Sequence, residues 1–308
     1  MLSRRLLLGG AAGAAAVALT GCDALAGLTP GTTPVLPAPD PSVPAHAALI
    51  GVRRRLDAAA AADLTDDQAG LIAWARRLSD EQHAATSLAV PAPWSPAPAS
   101  PAPDAASALA ALADALAGAE RAFARQALDA TTARPLTWAS MAAWCAATSA
   151  ELPEPRANRE PARGVLLPAA QTAQEAAQDA LDAASAALYG LQVAAGYAGL
   201  DAGERGHFAE RLAFWAQLRD RLDAQARQDA LALAPAPPWF DVRRPADRTD
   251  AYALAARAQA NALPALGGGL AHAHPGSRGT LIEALAGVAV DVPRWSGLLE
   301  RWPGLPRT

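Results

Sequence analysis

Apolar residues return every three or four positions along most of this chain, and the strict alternation of a half-buried strand is nearly absent. The pattern predicts helices joined by loops. A first pair covers 46–62 and 65–89: Leu64-Thr65-Asp66-Asp67 supplies an N-cap signal, and Leu71, Trp74 and Leu78 follow at helical spacing. The proline-rich stretch at 90–103 cannot continue a helix. Asp104 then stands where it caps a long helix ending near Ala130, with Leu109, Leu112, Leu116, Glu120 and Phe123 near one face. Arg134-Pro135 opens the next, which carries Trp138, Met141, Trp144 and Cys145 to about Leu152.

A polar, proline-rich break at 153–168 is the strongest candidate for a domain boundary. Beyond it, helices are expected over 169–199 and 201–232, the second with Phe208, Leu212, Trp215, Leu218 and Leu222 as its apolar stripe. Asp201 with Arg205, Arg219 with Asp223, and Asp223 with Arg227 are spaced to pair on its solvated face. A loop at 234–250 leads to a helix over about 250–266. The run Gly267-Gly268-Gly269 and its continuation to Ser277 reads as a turn, and a last helix covers 277 to about 301, kinked at Pro293. The fold class expected is all-α: a helical bundle over 48–152, a linker at 153–168 and a four-helix bundle over 169–302.

The start of the chain belongs to another class of segment. Leu6 to Thr20 is uncharged but only about 15 residues long, short of the roughly 20 that a membrane-spanning helix needs. With Arg4 and Arg5 before it and small residues after it, 1–21 reads as an export signal. Ser3-Arg4-Arg5 followed by three leucines resembles a twin-arginine motif, although the export route, twin-arginine or general secretory, stays open. Leu19-Thr20-Gly21-Cys22 resembles a bacterial lipobox, which implies lipidation of Cys22 and a membrane partner through that anchor. Residues 22–47, with repeated prolines, then form an extended tether. The expected location is the extracytoplasmic face of the cell membrane.

Composition narrows the function classes. The formal net charge is −4, and every basic residue is Arg, without the excess positive charge of a nucleic-acid binder. There are two Cys, and with Cys22 acylated, Cys145 has no disulfide partner. Its apolar surroundings suit a small buried hydrophobe. Gly-rich phosphate loops, Gly-x-Ser-x-Gly elbows and Cys-x-x-Cys pairs are absent from the sequence, so no catalytic residues are assigned.

Leu188-Tyr189-Gly190 within 181–196, the loop and helix beginning Pro237-Pro238-Trp239-Phe240, and Arg294-Trp295 near the end carry a resemblance over about 168–302. In helix order and loop position this stretch resembles DUF4439, a ferritin-like domain of actinobacterial lipoproteins. The resemblance implies a ferritin-like four-helix bundle in the C-terminal half. Ferritin-like enzymes hold two metals with carboxylates and Glu-x-x-His pairs on facing helices. Against the family's pattern this chain has Ala184-Ser185 before the Tyr-Gly signature and Gln259 on the third helix. The resemblance therefore implies a bundle kept without its di-iron carboxylates, no cofactor, and a non-enzymatic role binding an envelope protein or a small apolar ligand. The competing expectation is a divergent iron or manganese protein. For it, His207 and Glu210, spaced His-x-x-Glu, would draw on Glu175, Asp179 or Asp182 of the preceding helix. His207 otherwise reads as part of a polar helix start. His272 and His274 read as a solvent-exposed loop, and Glu120 as a boundary position or an ion-pair partner.

Overall fold

Helix starts follow the capping chemistry of the sequence. The computed structural model describes residues 43–86, 104–129, 132, 134–156, 158–161, 171–237 and 240–306. The segment expected to be an export signal, Cys22, the expected tether as far as residue 42, the proline stretch at 90–103 and Trp239 lie outside the described residues. Helix α1 is Val43–Ala60 and α2 is Asp66–Thr86. Thr65 caps α2 by a reciprocal pair: its hydroxyl accepts from the Gln68 N–H at 3.3 Å while the Gln68 side chain accepts from its own N–H at 3.2 Å. Asp104 caps α3 (Ala105–Leu128), accepting from the Ser107 N–H at 2.7 Å. Pro135 occupies the first turn of α4 (Pro135–Glu151), where its missing N–H costs nothing.

Beyond these come α5 (Ala173–Ala195) and α6 (Ala202–Gln228), each opened by a capping box. They are followed by α7 (Arg248–Ala260), α8 (Leu263–His272), a 3-10 turn at Pro275–Ser277 and α9 (Arg278–Arg294). The described residues are all-α apart from one pair of two-residue strands. None of their helices is long and apolar enough to cross a membrane.

Helix α4 explains how the chain holds together. It is buried on nearly every side from Pro135 to Thr148, as a helix hydrophobic all round must be. It packs on α3 on one side and on α9 on the other, so helices from before and after 153–168 share one core. Pro41–Thr308 is one compact unit. The described part of the break is pinned: β1 (Asn158–Arg159) pairs in parallel with β2 (Leu298–Leu299), and the Glu160 N–H donates to the Leu299 carbonyl at 3.0 Å. Trp74 Nε1 donates to the Glu160 carbonyl at 2.9 Å, and the Arg301 N–H donates to the Glu160 carboxylate at 2.7 Å. Buried Arg301 reaches Glu81 of α2, and Trp302 and Leu305 complete the seal.

Three expectations change. The helix over 250–266 is two helices, because the chain turns at Asn261-Ala262 and restarts with Pro264 in the first turn of α8. The Gly267–Gly269 run is interior to α8 and buried. A Cβ on Gly267 would stand 1.9 Å from the Gly304 carbonyl oxygen, so glycine here admits the C-terminal segment. The last helix ends at Arg294, with Pro293 in its final turn, and Ser296 at φ 59° turns the chain into β2.

Of the three ion pairs expected on α6, only Asp223–Arg227 forms. Asp201 is used as the N-cap, Arg205 donates to the Leu200 carbonyl, and Arg219 turns to Asp220. Trp74, Trp138, Trp144, Trp215 and Trp295 are all buried, as their spacing predicts.

Candidate functional site

A buried polar network lies where α6, α7 and α9 meet. Helix α6 places His207, Arg211 and Trp215 one turn apart on one face, because residues four apart stack along a helix. Helix α7 brings Gln259, which is fully buried, and α9 brings Asp291, which is 3% exposed. Arg211 Nε stands 3.0 Å from Asp291 Oδ2. Arg211 Nε and Nη2 donate to Gln259 Oε1 at 3.1 and 3.0 Å, and Trp215 Nε1 donates to the same oxygen at 3.1 Å. Trp295 Nε1 donates to Asp291 Oδ2 at 2.7 Å. The guanidinium also lies over the Phe214 ring, 4.1 Å from its centroid.

Burial pulls the Arg211 pKa below its ordinary value, with Asp291 opposing the shift and Arg294 adding to it. An arginine stays charged under such a pull, so the interior holds a permanent cation against a carboxylate. A buried carboxylate is costly unless paired and hydrogen-bonded, and here it is both.

His207 forms the outer edge of this network. Its ring stacks on Trp295 at 4.7 Å, and its Nε2 lies 3.0 Å from Asp291 Oδ1. The ring N–H direction misses that oxygen, so the contact is one of proximity rather than an aligned hydrogen bond. The histidine therefore points inward to α9, which corrects its reading as part of a polar helix start. On its outer side a cleft is lined by His207, Tyr252, Arg294, Glu151 and Arg156.

The other sequence candidates do not gather around it. Glu210 is largely exposed, with Oε2 3.7 Å from His207 Nδ1. Glu175 serves the α5 capping box, and its hydrogen bonds from Thr172 hold its carboxyl below the usual value. Asp179 accepts from Gln171 at 2.7 Å and Asp182 from Gln178 at 3.0 Å. Glu204 stands three residues before His207, so the chain does carry a Glu-x-x-His pair, on the same helix as His207-x-x-Glu210. Glu204 is held by the Asp201 N–H at 2.6 Å and the Tyr252 hydroxyl at 2.5 Å. Burial first, then that bond, pushes Tyr252 up to about 12.

Asp291 and Arg211 are the residues that the candidate list missed. Asp291 had a signal: it is an acid inside the apolar run Val288-Ala289-Val290-Asp291-Val292, where only a paired acid is tolerated. Elsewhere, His272 ends α8 half-buried, His274 is exposed, and Glu120 is half-buried with its carboxyl raised by burial. Cys145 is fully buried and its thiol is pushed up by burial and by Glu120.

A dinuclear metal centre of the ferritin type does not fit these residues. Ala184 carries no donor, and Ser185 donates its hydroxyl to the Leu181 carbonyl at 2.9 Å. Gln259 offers a neutral oxygen that already accepts from Arg211 and Trp215. The guanidinium of Arg211 lies against Asp291, the network's buried carboxylate. Among the described residues, no three His, Cys, Asp or Glu side chains converge as a metal site would require.

Comparison with known proteins adds a family and no function. No curated protein and no solved structure matches the chain. Residues 176–307, which contain α6 to α9 and most of α5, match the family model DUF4439, described as a domain of unknown function.

Proposed function

We propose that the protein is an exported, lipid-anchored and non-enzymatic binding protein of the cell envelope, built on a ferritin-like bundle whose metal centre has been replaced by an internal salt bridge. The observation that carries this reading is Arg211, whose guanidinium lies against Asp291 and Gln259 where α6, α7 and α9 meet. A fixed cation there does for the buried carboxylate what a metal does in ferritin-like enzymes: it neutralises the charge and ties helices together. It offers no redox chemistry and no open coordination position. The lipobox ending at Cys22 and the proline tether support the location.

Elemental analysis of the chain, purified without chelator and then offered iron, manganese and zinc, tests the interior. This reading expects metal far below one equivalent. Near-stoichiometric retention, lost in His207→Ala, would instead establish the divergent metal protein. Fractionation of cells making the wild type and Cys22→Ser tests the anchor: acyl labelling and membrane retention of the mature form should depend on Cys22.

A further inference from the structure

A pocket opens between α5, α7 and the loop at 240–243. Its floor is the close approach of the two helices: a Cβ on Gly190 would stand 2.7 Å from the Ala258 Cβ, so the glycine lets α5 and α7 touch. The loop is fastened to α5 by Phe240, whose ring packs at a tilt on Tyr189 with centroids 5.7 Å apart. On α7, Leu254, Arg257, Ala258 and Asn261 are three and four residues apart, so they share one face, and that face lines the pocket. Gln259 leaves the same helix on another side, toward Arg211, which keeps the pocket separate from the buried network. The cavity is about 340 Å³, within the roughly 300–1,000 Å³ of small-molecule sites.

Two guanidinium groups, Arg243 from the loop and Arg257 from α7, line this one cavity with a single acid, Asp241, and the amide of Asn261. An unpaired surface arginine by itself says little, because Arg244 and Arg294 are unpaired among the described residues as well. What marks this place is that two arginines share a concave site with only one acid. One positive charge is left for a ligand to answer, and a concave wall concentrates its field. None of the four polar side chains is tied by a hydrogen bond or ion pair among the described residues, so their donors are available. The rest of the wall is apolar, with Phe240 and Leu254 as its largest members. A carboxylate matches this arrangement: it carries one charge, and its two oxygens fit the N–H fork of an arginine.

We propose that this pocket binds a small organic carboxylate, with its anionic head on Arg243 and Arg257 and its apolar body against Phe240 and Leu254. The inference rests on the binding-protein reading and adds to it a site and a ligand class.

The test titrates phenylacetate, phenylethanol and phenylethylamine into the unlipidated full chain, Cys22→Ser, by calorimetry. Phenylacetate should bind at one per chain, phenylethanol more weakly and phenylethylamine not measurably. Arg243→Gln and Arg257→Gln should each weaken phenylacetate about tenfold or more. Arg244→Gln removes a charge from the same loop but not from the pocket lining, and should leave the affinity unchanged. All three arginines are exposed, so these variants keep the core intact. Absence of phenylacetate binding, equal binding of phenylethylamine, unchanged affinity in Arg243→Gln or Arg257→Gln, or an equal loss in Arg244→Gln would each overturn the proposal. Metal analysis of the same preparation separates the two claims. Stoichiometric metal overturns the metal-free reading whatever phenylacetate does, whereas a metal-free chain that ignores phenylacetate overturns only the pocket.

Discussion

Arg211 and Asp291 meet in the interior with Nε 3.0 Å from Oδ2, joining α6 to α9 by a salt bridge that is nearly withdrawn from solvent. Gln259 of α7 accepts from Arg211 Nε and Nη2 on one oxygen, which also accepts from the Trp215 indole N–H, while the Trp295 indole N–H donates to Asp291. Three helices are therefore joined by a polar network in which each buried group needs the others.

Gln259→Leu removes one acceptor from under three donors. The substitution is close to isosteric, so little of its effect comes from packing. It leaves the Trp215 N–H and part of the Arg211 fork unsatisfied in the interior, at a cost of about 2–3 kcal/mol. Chemical denaturation with an unchanged m-value and a lower midpoint is the expected outcome.

Gly267→Ala should displace the C-terminal segment. The added methyl group would meet the Gly304 carbonyl oxygen at 1.9 Å, and backbone on both sides leaves it no room to relax. Overpacking of this kind costs about 1–3 kcal/mol. Because Trp302 is buried by the same segment, its release should raise fluorescence quenching by acrylamide and open the segment to carboxypeptidase.

Tyr252 gives a titration signal. Three tyrosines are present, and Tyr252 is pushed up to about 12, by burial and by donating to Glu204. A raised folded pKa favours the folded state while the phenol is protonated. The contribution is complete below the unfolded value near 10 and is lost as pH rises towards 12. Absorbance titration at alkaline pH should show one late phenol in the wild type and an earlier one in Glu204→Gln.

Cys145 should resist thiol reagents in the folded protein. It is fully buried in α4 and its thiol is pushed up, so neither access nor thiolate is available. A Cys22→Ser chain should show no rapid labelling until denaturant is added, and one thiol afterwards.

How far the sequence was legible depended on the range of the interaction. Thr65 and Asp104 act on N–H groups three residues away, so their caps could be read directly. The apolar stripe of α6 could be read the same way. The glycines of α8 were misread as a turn because the reason for Gly267 lies in Gly304, which no local pattern reveals. Pro264 was equally available as a signal, and the helix break it marks was missed. Two of the three ion pairs expected on α6 do not form, because capping and neighbouring acids compete for the same side chains. His207 stands out in the sequence, but the acids of α5 are not its partners, because Asp179 and Asp182 are already occupied by glutamines. Asp291 stood out only as an acid in an apolar run, and the sequence alone could not pair it with Arg211 of α6.

The measurement that tests the central claim most directly is a double-mutant cycle on Arg211→Met and Asp291→Asn, read by denaturant unfolding. Each single substitution leaves the other charge or its donors buried and unanswered, and should cost about 3–5 kcal/mol. If the guanidinium is the internal cation of this bundle, the double variant will lose clearly less than the sum, with a coupling of about 2–3 kcal/mol. Losses that add within about 0.5 kcal/mol would mean that Asp291 is neutralised by something other than Arg211, and the replacement of a metal centre by an arginine would be contradicted.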